Sequence, residues 1–460
     1  MSPVVVVGAG LAGAEAAFQL SRRGVEVRLF EMRPSKRTPI HRTSLFAELV
    51  CSNSLRSDSL TNAHGLLKEE MRRLGSLTIE AAFESRVPAG QALAVDREAF
   101  SRRVTEEVRE APGVTVVEQE VVDVPEEGIV ILASGPLTSE RLSVSIRELT
   151  GSDYLYFYDA VSPVVEVESV DFEKAFRASR YGKGGDDYVN CPMSREEYLR
   201  FHEALRSAAT VDLNAIDNAL YFEGCLPIEV MASRGVDTLR FGPMKPVGLA
   251  DPRTGREPYA CVQLRQDNLA ATLYNLVGFQ NQLKWGEQKR ILRLIPGLEN
   301  AEFSRYGMIH RNTYINSPTV LLPTFQTRKR ESLFFAGQIS GVEGYTESAA
   351  SGIIAGINAA RLVRSEPTLA PPRTTALGAL CHYISHAEAK SYQPTNVSFG
   401  LFPPLDPPVK NRKARNQAIV ERALADLEGF VRETSPEAGV LRFAKKAQEE
   451  HGEERRDPEL

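Results

Sequence analysis

The chain begins with four consecutive valines, Val4-Val5-Val6-Val7, and breaks at once into Gly8-Ala9-Gly10-Leu11-Ala12-Gly13. A short apolar run with no polar position in it predicts a strand buried on both faces, as in a parallel sheet. Residues 14–23 then space their apolar positions as a helix does, and 25–30 return to strand and stop on Glu31. Strand, glycine turn, helix and strand in that order make a βαβ unit. Helical periodicity is next expected over 67–74 and 96–110, and 129–135 read as a further buried strand. The texture changes between 151 and 305. There 194–208 predict an amphipathic helix, 240–248 a strand and turn, 258–264 and 270–273 strands, and 279–294 a helix. A fully apolar strand returns at Leu333-Phe334-Phe335-Ala336-Gly337. An alanine-rich helix over 348–362 follows, with Gly352 and Gly356 on one face where small residues allow close packing.

The two glycine segments carry the first chemical inference. Gly8 permits the tight turn, Gly10 lets backbone approach a pyrophosphate, and Gly13 lets helix and strand pack closely. Ala9, Leu11 and Ala12 complete the loop at the helix N-terminus, where an anion is favoured. Glu31, at the end of the second strand, is placed to accept hydrogen bonds from an adenosine ribose and disfavours a 2′-phosphate, so FAD or NAD is expected rather than NADP. A second helix N-terminus, after Gly337 and Gly341, would stabilise negative charge on a reduced flavin ring. If both ends of the chain close on one dinucleotide, the middle is an insertion. The expected architecture is α/β: a Rossmann-like, glutathione-reductase-like FAD-binding domain from 1–150 and 306–435, an inserted α+β domain over 151–305, and a charged tail over 436–460.

Composition narrows the class without naming a reaction. With 460 residues, 42 % hydrophobic and 25 % charged, the chain has the make-up of a soluble globular protein of two or three domains. No apolar run approaches the roughly eighteen residues a membrane helix needs, so a cytoplasmic protein with no membrane partner is expected. The five cysteines, Cys51, Cys191, Cys225, Cys261 and Cys381, form no C-x-x-C pair, so neither a disulfide framework nor a metal site is indicated. A net charge of −5 argues mildly against nucleic acid, yet three basic clusters stand as phosphate-contact candidates. They are Lys284, Lys289, Arg290 and Arg293; Arg328-Lys329-Arg330; and Lys410, Arg412, Lys413 and Arg415, the last opposing the dipole of the helix it opens.

The string Ala336-Gly337-Gln338, Gly341, Gly344-Tyr345, Glu347, Gly352 and Ala355-Gly356-Ile357-Asn358-Ala359-Ala360 resembles the C-terminal FAD signature of two families of tRNA-uridine-modifying flavoproteins. Four segments are similar to one of them, the folate- and FAD-dependent tRNA (uracil-5-)-methyltransferases: Glu31-Met32-Arg33-Pro34, Cys51-Ser52-Asn53-Ser54-Leu55-Arg56-Ser57-Asp58, Tyr221-Phe222-Glu223-Gly224-Cys225-Leu226-Pro227 and Gln393-Pro394-Thr395-Asn396-Val397-Ser398-Phe399-Gly400-Leu401. The likeness spans most of 3–405. The other family, which modifies the wobble uridine, is usually longer. That subunit is the alternative reading, followed by a non-methylating flavin oxidoreductase or RNA-binding scaffold.

The methyltransferase resemblance implies FAD as cofactor, 5,10-methylenetetrahydrofolate as one-carbon donor, NADH or NADPH as electron source, and C5 of uridine 54 in the tRNA T-loop as acceptor. Uracil C5 is a weak nucleophile until a thiolate adds to C6, and its proton must later leave, so thiols suit both tasks. The resemblance assigns Cys225 to C6 and Cys51 to the second thiol, in proton removal from C5. It also places Tyr345 over the flavin ring, and His310 and Arg311 toward folate or an anion. By context alone a free cysteine is usually core, and Cys191, Cys261 and Cys381 are read that way.

Overall fold

The computed structural model describes residues 2–38, 40–151, 155–183, 185–211 and 226–435. Cys225 and the charged tail from 436 lie outside the described residues. The glycine turn joins strand β1 (Val4–Val7) to helix α1 (Leu11–Ser21), and β2 (Val27–Phe30) pairs parallel with β1. The helix starts three residues earlier than periodicity suggested, because Gly8 at φ +96° completes the turn alone. Ten of the eleven α1 residues are buried, so α1 shows little amphipathic pattern. One side meets the sheet and another the helix Tyr345–Val363. There a Cβ on Gly352 would stand 2.2 Å from the Ala12 carbonyl oxygen and one on Gly356 2.9 Å from that of Ala16. The two helices therefore touch backbone to backbone.

The main sheet has five parallel strands in the order Leu333–Phe335, Val130–Leu132, β1, β2, Val114–Val117. A strand near residue 333 thus pairs beside one near 130, and the late half of the chain completes the sheet begun by the early half. Glutathione-reductase-like expectation and observed topology agree here. A second, antiparallel sheet orders Phe176–Arg177, Tyr188–Met193, Ala260–Gln266, Leu273–Leu276, Val164–Glu166 and Phe303–Arg305. It has its own apolar core, to which the helix Arg195–Arg206 contributes Tyr198, Phe201 and Leu205 behind a Ser194/Glu197 capping box. Strands Leu155–Ala160 and Ile309–Tyr314 pair antiparallel on the way in and out of this insertion.

Three expectations within the insertion are corrected. Residues 240–248 form no strand: Thr238–Phe241 is a helical turn, and Arg240 leaves any ladder to pair with Asp237 and lie 3.7 Å over the Tyr259 ring. Only Trp285–Leu292 of 279–294 is helical. The preceding stretch is extended, with the Lys284 N–H donating to Ala209, Gln282 accepting from Val211, and Gln280 accepting from Ile228. The Asn281 side chain accepts the Leu283 N–H and so competes with helix. The strand expected from 270 begins at Leu273, because Asn268 accepts the N–H groups of Thr272 and Leu273 and turns the chain.

Candidate active site

At the carboxyl edge of the parallel sheet lies a cleft lined by Gly8, Gly10, Glu31, Ala133–Ser139, Gly337, Tyr345 and the loop Val50–Ser52. This edge is where open α/β sheets bind nucleotides. Two helix N-termini open onto it, α1 behind Gly10 and Tyr345–Val363 behind Gly344, and neither has a side-chain cap. Uncapped first-turn N–H groups suit an anionic ligand. A Cβ on Gly10 would meet no atom within 4 Å and would project into open space, whereas one on Gly13 would stand 1.7 Å from the Gly8 carbonyl oxygen. Gly10 is therefore free for a ligand's approach and Gly13 is needed for the fold. Glu31 is buried, its Oε2 accepting the Ala9 N–H at 2.9 Å and its Oε1 the Arg33 N–H and Nε. Burial opposes its charge, but the Arg33 guanidinium and these N–H donors hold the carboxyl below its usual range. The residues present fit FAD: an open glycine, two uncapped helix N-termini and an ionised acid at the end of β2.

The other end of the cleft is built of side chains. The Tyr345 hydroxyl accepts the Cys51 N–H at 2.7 Å and the Ser52 N–H at 3.1 Å, and burial pushes the phenol up, so it stays neutral. Arg97 donates to the Leu49 carbonyl at 2.8 Å and Arg305 to that of Val50, so two guanidiniums and one phenol grip the peptides around Cys51. Both guanidiniums lie within electrostatic reach of the half-buried Cys51 sulfur. Burial and neighbouring Arg97 pull Arg305 down to about 10, which leaves it charged at neutral pH. Cations beside a sulfur are what make a cysteine reactive.

Behind the loop, Asn53 uses both ends of its amide. Its Nδ2 donates to the carbonyls of Val95 and Gln266, and its Oδ1 accepts from Arg265 and Asn275. Asn275 in turn donates to Asp267, whose Oδ1 also receives Arg97. A buried polar chain thus runs from the insertion's two central strands to the Cys51 loop.

Residues 3–367 match the family model described as glucose inhibited division protein A. Relatives described as methylenetetrahydrofolate–tRNA-(uracil-5-)-methyltransferase TrmFO, from Bacillus cereus strain AH187 and Enterococcus faecalis strain V583, are each 59 % identical to this chain. The first covers 93 % of this chain and 98 % of its own length, the second 92 % and 97 %. The chain belongs to the TrmFO family. The crystal form II structure of Aquifex aeolicus GidA superposes with TM-score 0.68 over 97 % of this chain and 76 % of its own; at 18 % identity it speaks for the fold alone.

Two of the TrmFO-type segments, the one at Glu31 and the one at Cys51, line the cleft. The stretch from Gln393 packs on the second glycine segment, where Glu347 accepts the Val397 N–H and Asn396 donates to the Glu343 carbonyl. Of the Cys225 segment only its exit is described: Glu229 is buried, accepts the Gln282 N–H, and is pushed by burial up to about 7. His310 and Arg311 take their places on the linking strand Ile309–Tyr314, opposite Asp159 and Tyr158. Lys284, Lys289 and Arg290 are exposed, Arg290 paired with Glu287. Lys410, Arg412, Lys413 and Arg415 are exposed around the start of the helix Arg412–Thr434. Arg293 is spent on the Ala301 carbonyl, Arg328 on that of Ser385 and Arg330 on those of Pro125 and Gly128, so these three tie loops together. Cys191, Cys261 and Cys381 are buried, and burial raises their thiols, Cys261 to about 12. No helix among the described residues is long and apolar enough to cross a membrane.

Sequence reasoning missed Arg97, Arg305, Arg265, Asp267 and Asn275. The only signal among them is Arg265, which with Gln263 interrupts the otherwise apolar Ala260–Gln266.

Proposed function

We propose that the chain transfers a one-carbon unit from 5,10-methylenetetrahydrofolate to C5 of uridine 54 in the T-loop of tRNA, with FAD in the cleft and electrons from NADH or NADPH. The carried unit arrives at the oxidation level of formaldehyde and ends as methyl. Two electrons therefore enter, tetrahydrofolate leaves, and C5 loses a proton. Bound in the cleft, FAD supplies two-electron chemistry beside Cys51. The chain's own residues do the rest. The α1 N-terminus and Gly10 would hold the pyrophosphate, and Glu31, which keeps the glycine loop in shape through the Ala9 N–H, would accept from the ribose. Tyr345 lines the cleft that would hold the flavin while its hydroxyl fixes Cys51, so one residue would set cofactor and thiol relative to each other. Cys51 takes the C5 proton, with Arg97 and Arg305 stabilising its thiolate. Cys225 adds to C6, and His310 and Arg311 serve the folate. The exposed lysines and arginines of the two basic clusters meet phosphates.

The observation that carries this reading is Cys51 held by Tyr345 in the wall of the cleft that begins at the glycine turn. Identity of 59 % to TrmFO relatives over almost the whole length supports it against the wobble-uridine alternative. The test is purified protein with tRNA transcript, 5,10-methylenetetrahydrofolate and NADPH, assayed for 5-methyluridine. Product at the T-loop position is expected; none, with flavin bound and reducible, refutes it.

A further inference from the structure

The chain's single tryptophan, Trp285, is 64 % exposed at the first turn of its helix. Its indole stacks on Tyr306, centroids 6.3 Å apart and planes 22° apart, and Tyr306 stacks on Phe303 at 5.3 Å and 24°. Three near-parallel rings therefore form one pile whose outer member is largely in solvent. Phe303 and Tyr306 are half-buried and pack from the strand Phe303–Arg305 and its continuation, so the pile rests on a rigid sheet edge. Cations flank it: Lys284 directly precedes the tryptophan, and Lys289 lies one helical turn on, on the same face; both are exposed. The same strand leads to Arg305, which holds Val50 beside Cys51, so the aromatic pile and the thiol share one rigid element. On its other side, the extended residues leading to Trp285 hold Val211 and Ile228.

An exposed indole on a preformed stack, between two unburied lysines, matches the chemistry of an unpaired nucleobase with its flanking phosphates. Single-stranded loops are read by splaying a base onto an aromatic face, while the backbone follows cations. A protein partner would instead call for an apolar centre depleted of lysine. We propose that the Trp285–Tyr306–Phe303 stack is a platform on which an unpaired base of the RNA substrate stacks, with Lys284 and Lys289 taking the neighbouring phosphates. The inference rests on the tRNA reading above and adds where and how the RNA loop docks.

Because Trp285 is the only tryptophan, its emission in the holoenzyme reports the site directly. Titration with a T-arm hairpin should quench it, with a midpoint equal to the dissociation constant from filter binding; a fully paired duplex of the same length should not. Trp285→Ala should weaken hairpin binding roughly 5- to 150-fold, the range of one lost base stack. Trp285→Phe should restore most of that, and retained FAD shows that either variant is folded. Lys284→Ala with Lys289→Ala should instead reduce the salt dependence of binding. Hairpin binding with unchanged emission, or Trp285→Ala binding as tightly as wild type, overturns the platform but leaves the tRNA reading intact. Wild-type protein that binds no tRNA overturns both.

Discussion

The two ends of the cleft are made from different materials. The nucleotide end comes from one continuous stretch, β1 to Arg33, and works through backbone: a glycine turn, a helix N-terminus and a single acid. The reaction end draws Cys51, Arg97, Asp267, Arg305 and Tyr345 from five distant segments and works through side chains. Local backbone geometry recognises what every dinucleotide shares. Fixing one sulfur against a cofactor takes contacts that only the complete fold assembles.

Breaking each end should therefore fail differently. The largest effect is expected at Gly13→Ala, whose Cβ has no room beside the Gly8 carbonyl: the parallel sheet and α1 cannot pack, and soluble yellow protein should be lost. Gly10→Ala, with open space at its Cβ, should keep the fold and weaken FAD alone, read by flavin titration against apoprotein melting temperature. Equal loss of folding in both would erase the distinction. Next in size is Asp267→Ala, which strips the partner from Arg97 and from Asn275. Breaking a buried ion pair on one side costs about 3–5 kcal/mol, and urea unfolding should show a loss of that order together with lower methyl transfer. Unchanged stability would mean that the buried chain does not bind insertion to cleft.

What the sequence revealed follows the same division. Four valines, three glycines and Glu31 are legible because their spacing alone dictates their geometry. The second glycine segment is legible as strand and helix, and only the resemblance attaches a flavin to it. Nothing within ten residues of Arg97 or Arg305 marks either as a neighbour of Cys51; each reads as an ordinary surface charge until the second sheet folds against the first. The 279–294 stretch misled for a related reason: its apolar spacing suits a helix, but Asn281 and the pairing with 209–211 hold its first half extended.

A smaller effect concerns pH, away from the cleft. Glu70 is fully buried, and burial pushes its carboxyl up to about 8 against the N–H groups of Leu377 and Ala376 that it accepts. Its folded value lies above the unfolded reference of 4.5, so its contribution to stability is whole below that reference and is lost as pH rises through about 8. Wild type should thus lose more stability than Glu70→Gln as pH is raised from about 5 to about 8; parallel curves would show that Glu70 is ionised throughout.

The central claim is that Cys51, fixed by Tyr345 and two arginines, performs a step of methyl transfer rather than filling the cleft wall. The direct measurement is 5-methyluridine formation by Cys51→Ala holoenzyme beside wild type, with flavin content and its reduction by NADPH recorded on the same samples. The expected result is full flavin, normal reduction and product formation lower by about 100-fold or more, the scale of a lost acid–base catalyst. Product at the wild-type rate from Cys51→Ala would contradict it.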